Sequence, residues 1–367
     1  MKKHSSSKIQ HVILNKTMST VKAFGNYSAT ENLVPLTIER RNLQPTDVHI
    51  DILYCGVCHS DIHTARSEWG PAKYPVVPGH EIIGKVIGVG NEVSKYKIGD
   101  TVGVGCMVDS CQHCATCEEG LEQYCENGST MTYGGKDKFL GGHTFGGYSE
   151  NIVVDEKFVL SIPESLDISK AAPLLCAGIT TWSPLSHWKV KAGDKVGVIG
   201  LGGLGHMGIK FAHALGAYVV MITTSPEKGE DAKLLGADEV LISTDAEAMK
   251  KHADTFDFLL NTIPVGHDAN PYINLLKRDA TMVLVGAIEP MKAVNTGLLV
   301  RRRKNMAGSM IGGIKETQEM LDFCGEHHIL PEVEMVNIQN INKAWDRVVK
   351  ADVKYRFVID MASLKAN

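Results

Sequence analysis

The stretch Val196-Gly197-Val198-Ile199-Gly200-Leu201-Gly202-Gly203-Leu204-Gly205-His206 decides how this chain folds. Its first four residues suit a fully buried strand, the glycines a tight turn, and Leu204–Leu215 a helix that closes near Gly216. A G-x-G-x-x-G string alone is a weak signal. Here it sits between an apolar strand and a helix, with a second apolar strand, Tyr218–Thr223, behind it. Gly200, Gly202, Gly203 and Gly205 let the backbone approach a pyrophosphate, with Leu201 and Leu204 between them. The helix N-terminus adds unpaired N–H groups and a favourable dipole. The competing reading is a glycine turn that binds nothing.

Outward from this turn the rhythm continues. Helices are predicted at Glu227–Leu235, Ala246–His252 and Asn270–Leu276, and strands at Glu239–Ile242, Phe256–Asn261 and Thr281–Val285. Repeated βα units with near-continuous apolar strands predict a doubly wound parallel sheet covered on both faces. Upstream, from about Lys22 to Pro163, short β-prone runs are cut by turn signals: Val48–Leu53, Glu81–Val89, Thr101–Val104, Tyr148–Val154 and Phe158–Ile162. These predict a compact antiparallel, partly barrel-like β domain. After Gly313, a helix (Glu316–His327), a strand (Val333–Asn337), a helix (Asn340–Lys350) and a strand (Tyr355–Asp360) break the rhythm and are expected to rejoin the first domain. The fold class is α/β, divided as 1–176 with 313–367 and 177–312, with residues 1–18 a polar, flexible extension.

Length and composition agree. The chain has 367 residues, more than one core of ~150 residues uses. Hydrophobic residues make up 44% and charged residues 22%, a globular profile. The formal net charge of −4 argues against nucleic-acid or membrane-surface binding driven by charge. No apolar run approaches ~18 residues, and Val12-Ile13-Leu14 is too short for a signal-peptide core, so a cytoplasmic location is expected. The densest charge run, Arg301-Arg302-Arg303-Lys304, reads as a solvated loop.

The cysteines carry most of the chemistry. There are nine, and six fall between Cys55 and Cys117. Cys111, Cys114, Cys117 and Cys125 can close a tetrahedral thiolate shell around zinc, leaving no position for a substrate, so this site (lobe 106–126) is structural. Packed free thiols, two disulfides and an iron–sulfur cluster are the weaker alternatives. Cys58, Gly79-His80-Glu81 and Cys176 are far apart in sequence. Two thiolates and one imidazole would leave a zinc position open, which a Lewis-acid site needs.

At the end of the second strand, nicotinamide-binding folds that prefer NAD carry an Asp or Glu. This chain reads Thr223-Thr224-Ser225-Pro226-Glu227-Lys228. Hydroxyls and Lys228 suit a 2′-phosphate, so NADP(H) is expected, with NAD a weaker alternative and Glu227 the rival ribose acid.

With Cys55-Gly56-Val57-Cys58-His59-Ser60-Asp61, Gly79-His80-Glu81, the four-cysteine lobe, the glycine turn and Tyr355-Arg356-Phe357-Val358, the chain resembles the zinc-dependent medium-chain alcohol dehydrogenases. It looks most like their cinnamyl alcohol dehydrogenase group, from about Met18 to Asp360. The resemblance implies a GroES-like catalytic domain with a Rossmann domain, and one catalytic and one structural zinc. The catalytic zinc would sit on Cys58, His80 and Cys176, with Glu81 a transient ligand and Cys55 none. Asp61 would hold the His80 ring, the alternative being a turn residue. Ser60 and His63 would relay the proton, though His63 also reads as a solvated side chain. Thr180, Thr262, Gly286, Ser309, Met310 and Ile311 would line the cofactor, and Arg356 would face its pyrophosphate or else be a surface cation. Trp69 reads equally as pocket wall or core, and His59 is unassigned. A homodimer interconverting primary alcohols and aldehydes follows, against a polyol or formaldehyde dehydrogenase, a zinc-free quinone reductase, or a non-catalytic zinc-stabilised protein.

Overall fold

A computed structural model describes residues 18–286 and 289–366. Nearly all of the expected N-terminal extension lies outside them. Two sheets organise the chain. In the first, the order is Val333–Asn337, Arg356–Asp360, Asp47–Val57, Ile82–Val89, Thr101–Val104 and Leu160–Ser161, with Asn151–Asp155 also paired to Asp47–Val57. The two C-terminal strands join it across the antiparallel pairing of Phe357 with Val57 and Asp360 with Tyr54. The chain therefore closes on its own beginning. A separate hairpin, Ser19–Gly25 with Val34–Arg40, was not expected from the sequence. The strand expected at Tyr148–Val154 begins only at Asn151, because Gly146 to Ser149 bond instead to Val77, Pro78 and Gly79 and to the Arg40 side chain.

The second sheet has six parallel strands in the order Glu239–Ile242, Tyr218–Thr223, Lys195–Ile199, Phe256–Asn261, Leu276–Leu284, Asn305–Gly308. Taken along the chain that is 3-2-1-4-5-6, so the order reverses between Lys195–Ile199 and Phe256–Asn261. A crevice opens outside the carboxyl ends of strands at such a reversal, and Gly200 and Thr262 stand at its two sides. Leu276–Leu284 starts earlier than the pattern suggested. One core runs between the sheets: Ile83, Leu160 and Val358 from the first share it with Val196, Val198 and Leu260 from the second and with Met207 and Phe211 from the helix Gly205–Ala214. No helix of the described residues is long and apolar enough to cross a membrane.

Three local expectations need correction. Arg301, Arg302 and Arg303 are exposed, but Lys304 is buried, its Nζ donating to the Ile273 carbonyl at 3.0 Å and pairing with Asp254 at 2.9 Å. Trp69 is not core: it is half exposed and stacks on His63 at 4.7 Å. Glu227 lies not in the following helix but exposed, in the short turn Pro226–Lys228 that precedes it.

His206 stands in the first turn of the helix Gly205–Ala214, fully buried, stacked on Tyr355 at 5.0 Å with its Nε2 unpartnered. Burial drives its pKa down to about 3. The unfolded chain, titrating near ~6.5, takes up the proton first, so this contribution to stability is full above that value and is lost as pH falls toward 3. Between pH 7 and pH 5 wild type should lose about 2 kcal/mol more unfolding free energy than His206→Gln. Urea unfolding at the two pH values checks this; equal losses would refute it.

Candidate active site

The site is assembled around one buried carboxylate. Cys58 precedes the helix His59–Ala65, and Asp61 stands in its first turn. Asp61 Oδ2 accepts from the Cys58 amide at 2.9 Å; Oδ1 accepts from the Gly79 amide at 3.0 Å and from His80 Nδ1 at 3.0 Å. Tyr148 Oη adds a contact at 3.3 Å. Asp61 is fully buried, which excludes the reading as an ordinary turn residue. Because an ionised carboxylate only accepts, His80 carries its proton on Nδ1 and leaves Nε2 as a metal-binding lone pair.

Cys176 reaches the same point from the start of the helix Ala177–His187. Ligand atoms of Cys58, His80, Glu81 and Cys176 all lie within 4.8 Å of one another, and all four residues are buried. Cys58 Sγ and Cys176 Sγ are 3.9 Å apart. Zinc–sulfur bonds of ~2.3 Å meeting at a tetrahedral angle span ~3.8 Å, so the donor set fits zinc. Cys55 lies outside this group, its Sγ against its own strand.

The four-cysteine lobe passes the same test. Cys111 Sγ–Cys117 Sγ and Cys114 Sγ–Cys125 Sγ are both 3.9 Å, far beyond a disulfide bond, and all nine cysteines are unpaired. Backbone amides of Cys111 and Glu126 donate to Cys125 Sγ and Cys114 Sγ. The lobe also clamps a distant segment. Tyr124 Oη accepts from the Met310 amide at 3.1 Å, and Glu122 Oε2 from the Ile314 amide at 3.0 Å. That holds Ile311, at φ 41°, against the Cys58–Cys106–Cys176 cluster.

The glycine turn sits at the crevice. Gly200 has φ 94°, and a side chain at Gly205 would overlap the Gly200 carbonyl. Leu201, Gly202, Gly203 and Leu204 form the turn's outer course, and nothing lies within 4 Å of a Cβ built on Gly202. Thr262 Oγ1 donates to the Ile199 carbonyl at 2.8 Å, Gly286 abuts the Thr262 and Ile263 carbonyls, and the Ser309 amide donates to Leu284 at 3.2 Å. Thr180 is buried one turn beyond Cys176, its amide bonded to the Cys176 carbonyl at 2.9 Å. Thr223, Thr224 and Ser225 end the second strand without a carboxylate. Lys228 Nζ donates to the Leu201 carbonyl at 3.3 Å, a cation held on the rim of the glycine turn. An open cradle with that cation fits a phosphorylated dinucleotide.

The Alcohol dehydrogenase GroES-like domain model matches residues 44–164 and the Zinc-binding dehydrogenase model residues 203–326. Aldehyde reductase YahK of Escherichia coli is 56% identical over 346 residues, covering 94% of this chain and 99% of that protein. The chain belongs to the zinc-binding alcohol dehydrogenases. NADP-dependent alcohol dehydrogenase C 1 of Mycolicibacterium smegmatis is 54% identical, covering 95% and 100% of the two chains. A cinnamyl alcohol dehydrogenase structure from Sorghum bicolor superposes with a TM-score of 0.90 at 44% identity, covering 94% and 98%. This dehydrogenase sits in the cinnamyl alcohol dehydrogenase group.

Three residues of the dehydrogenase escaped the sequence. Glu68 Oε2 lies 2.5 Å from His63 Nδ1; a carboxylate five positions past a histidine gives no periodic signal. Cys106 is buried beside Cys58 and Cys176, hidden among the lobe cysteines. Tyr133 stands 5.7 Å from the His80 ring. Arg356, read as facing pyrophosphate or as a surface cation, is buried. It pairs with Glu81 and lies 3.8 Å from Cys58 Sγ, so the surface reading is excluded. Burial works against its charge, but Glu81 and the neighbouring sulfurs outweigh it and raise the pKa. Replacing Asp61 with Asn should weaken metal binding at Cys58–His80–Cys176 by about 10–100-fold while sparing the four-cysteine lobe. Metal analysis after graded chelation checks this; parallel loss from both sites would contradict it.

Proposed function

We propose that this chain is an NADP(H)-dependent oxidoreductase that interconverts primary alcohols and aldehydes: primary alcohol + NADP⁺ ⇌ aldehyde + NADPH + H⁺. The observation that carries it is the 3.9 Å Cys58–Cys176 sulfur pair gathered with His80 and Glu81, all four ligand atoms within 4.8 Å of one another. In this reading Cys58, His80 and Cys176 hold the catalytic zinc and Glu81 is a secondary ligand. Cys111, Cys114, Cys117 and Cys125 hold the structural zinc. When bound, zinc supplies Lewis acidity toward the substrate oxygen and NADP(H) supplies or accepts the hydride.

The chain's own groups orient and move protons. Asp61 fixes the His80 tautomer. Ser60, with Oγ 3.5 Å from Cys58 Sγ, is assigned the hydrogen bond to the substrate oxygen. Glu68 accepts from His63 Nδ1, which leaves Nε2 as the proton acceptor, and the partly exposed ring hands the proton outward. Thr223, Thr224, Ser225 and Lys228 surround the 2′-phosphate. Gly200, Leu201, Gly202, Gly203, Leu204 and Gly205 take the pyrophosphate, with Thr180, Thr262, Gly286, Ser309, Met310 and Ile311 along the rest of the dinucleotide.

The names of the relatives support NADP(H) and an aldehyde or alcohol substrate. We assign 1–176 with 313–367 to the catalytic domain and 177–312 to the dinucleotide domain. A homodimer is supported by Asn305–Gly308, the terminal strand of its sheet, with Met306 exposed. Nine unpaired cysteines suit a cytoplasmic location.

Purified protein with NADPH and a panel of aliphatic, allylic and aromatic aldehydes, formaldehyde included, tests the activity. Reduction with two zinc ions per chain is expected; no turnover with any aldehyde would refute the reading. Lys228→Ala should lower kcat/KM for NADPH about tenfold or more and leave NADH nearly untouched, since a charged hydrogen bond contributes about 1.5–3 kcal/mol. Equal loss with both cofactors would remove Lys228 from phosphate recognition. His63→Gln should slow alcohol oxidation most at low pH, where hydroxide is too scarce to replace the imidazole. An unaltered pH–rate profile would take His63 out of the relay.

A further inference from the structure

His206 takes no part in the metal or proton chemistry above. It is shut off from solvent in the first turn of the helix Gly205–Ala214, and its Nε2 meets no partner. Lys210, one turn further on, gives its ammonium instead to the Leu330 carbonyl at 2.6 Å and to Glu332 at 2.8 Å. The ring lies 17° from parallel to Tyr355, which is itself held by its amide on the Glu332 carbonyl at 3.0 Å. An aliphatic side chain would fill this place without leaving an acceptor bare, which costs stability. What imidazole adds is Nδ1. It stands 3.3 Å from the Gly202 carbonyl, which only accepts, so the ring carries its proton there. Burial keeps that ring neutral. The same carbonyl accepts from the His206 amide at 3.1 Å. The Gly202–Gly203 peptide is planar and trans, so a carbonyl drawn toward the helix turns the Gly203 N–H the opposite way. That is the open side of the turn, where nothing lies within 4 Å of a Cβ built on Gly202.

We propose that His206 is a positioning residue for the dinucleotide's pyrophosphate: through Nδ1 it locks the Gly202–Gly203 peptide so that the Gly203 N–H is presented to a phosphate oxygen. The inference rests on the dehydrogenase reading above and deepens it. A peptide between two glycines has more freedom to rotate than any other, so it gains most from a second donor on its carbonyl. Stacking on Tyr355 fixes the plane of the imidazole. The donor is therefore aimed before the cofactor arrives, and less ordering remains for binding to bring about. The bare Nε2 weakens the fold, while the Nδ1 hydrogen bond serves the cofactor. At His206 stability and binding pull in opposite directions.

His206→Leu removes the donor and the bare acceptor together, whereas His206→Asn keeps an N–H near the position of Nδ1. NADPH binding to the wild-type full chain, by fluorescence, is measured first; its absence overturns the dehydrogenase reading and this proposal with it. NADPH should bind His206→Leu about three- to tenfold more weakly than wild type, and His206→Asn should recover most of that loss. Adenosine 2′-monophosphate, which has the 2′-phosphate and no pyrophosphate, should bind all three alike. Unchanged NADPH affinity in His206→Leu, or an equal loss for adenosine 2′-monophosphate, would overturn the role of His206 and leave the dehydrogenase reading standing. If leucine prevents folding, wild type labelled with ¹⁵N-histidine decides the matter. The Nδ1 resonance of His206, assigned by its loss in His206→Asn, should move on saturation with NADP⁺; a resonance that stays in place would overturn the proposal.

Discussion

The Asp61 carboxylate ties the catalytic centre together. It accepts from the Cys58 amide, the Gly79 amide and His80 Nδ1, and so fastens two segments some twenty positions apart. Each of those hydrogen bonds is to a charged, fully buried group, the kind that is strong and costly to lose. A ligand trio drawn from distant parts of the chain needs such a knot, because side-chain entropy would otherwise scatter it. Cys176 comes to this knot from the helix that follows, held by the core shared between the sheets.

The four-cysteine lobe works at a distance in the same way. Its cysteines close on themselves, yet Tyr124 and Glu122 bond the amides of Met310 and Ile314. Those contacts hold the returning chain beside the Cys58–Cys106–Cys176 cluster. The last strand completes the arrangement by carrying Arg356 into the space between glycine turn and metal ligands. Chain closure and site closure are therefore one event: pairing of Phe357 with Val57 delivers the cation to Glu81.

Much of this was legible in the residues. The parallel sheet could be read because buried strands are uniformly apolar and Tyr218–Thr223, Glu239–Ile242 and Phe256–Asn261 stand between clear turn signals. The hairpin Ser19–Gly25 with Val34–Arg40 was harder, since its buried and exposed positions alternate only partly. Among site residues, the two cysteine groups were legible from their spacing and surroundings. Glu68, Cys106 and the burial of Lys304 were not, because nothing local distinguishes a carboxylate that meets a histidine from one that meets water.

By itself the sequence determined which chemistry is possible: four closely spaced thiols, a glycine turn after a buried strand, and a second strand ending in hydroxyls rather than a carboxylate. Those are short-range properties, set by residue type and a few bonds of chain. Only the tertiary structure decided which groups meet. Cys176 beside Cys58, Tyr124 beneath Met310 and Arg356 against Glu81 are contacts between segments 118 to 275 positions apart. Bringing them together takes the burial free energy of a whole core to offset the entropy of closing such loops.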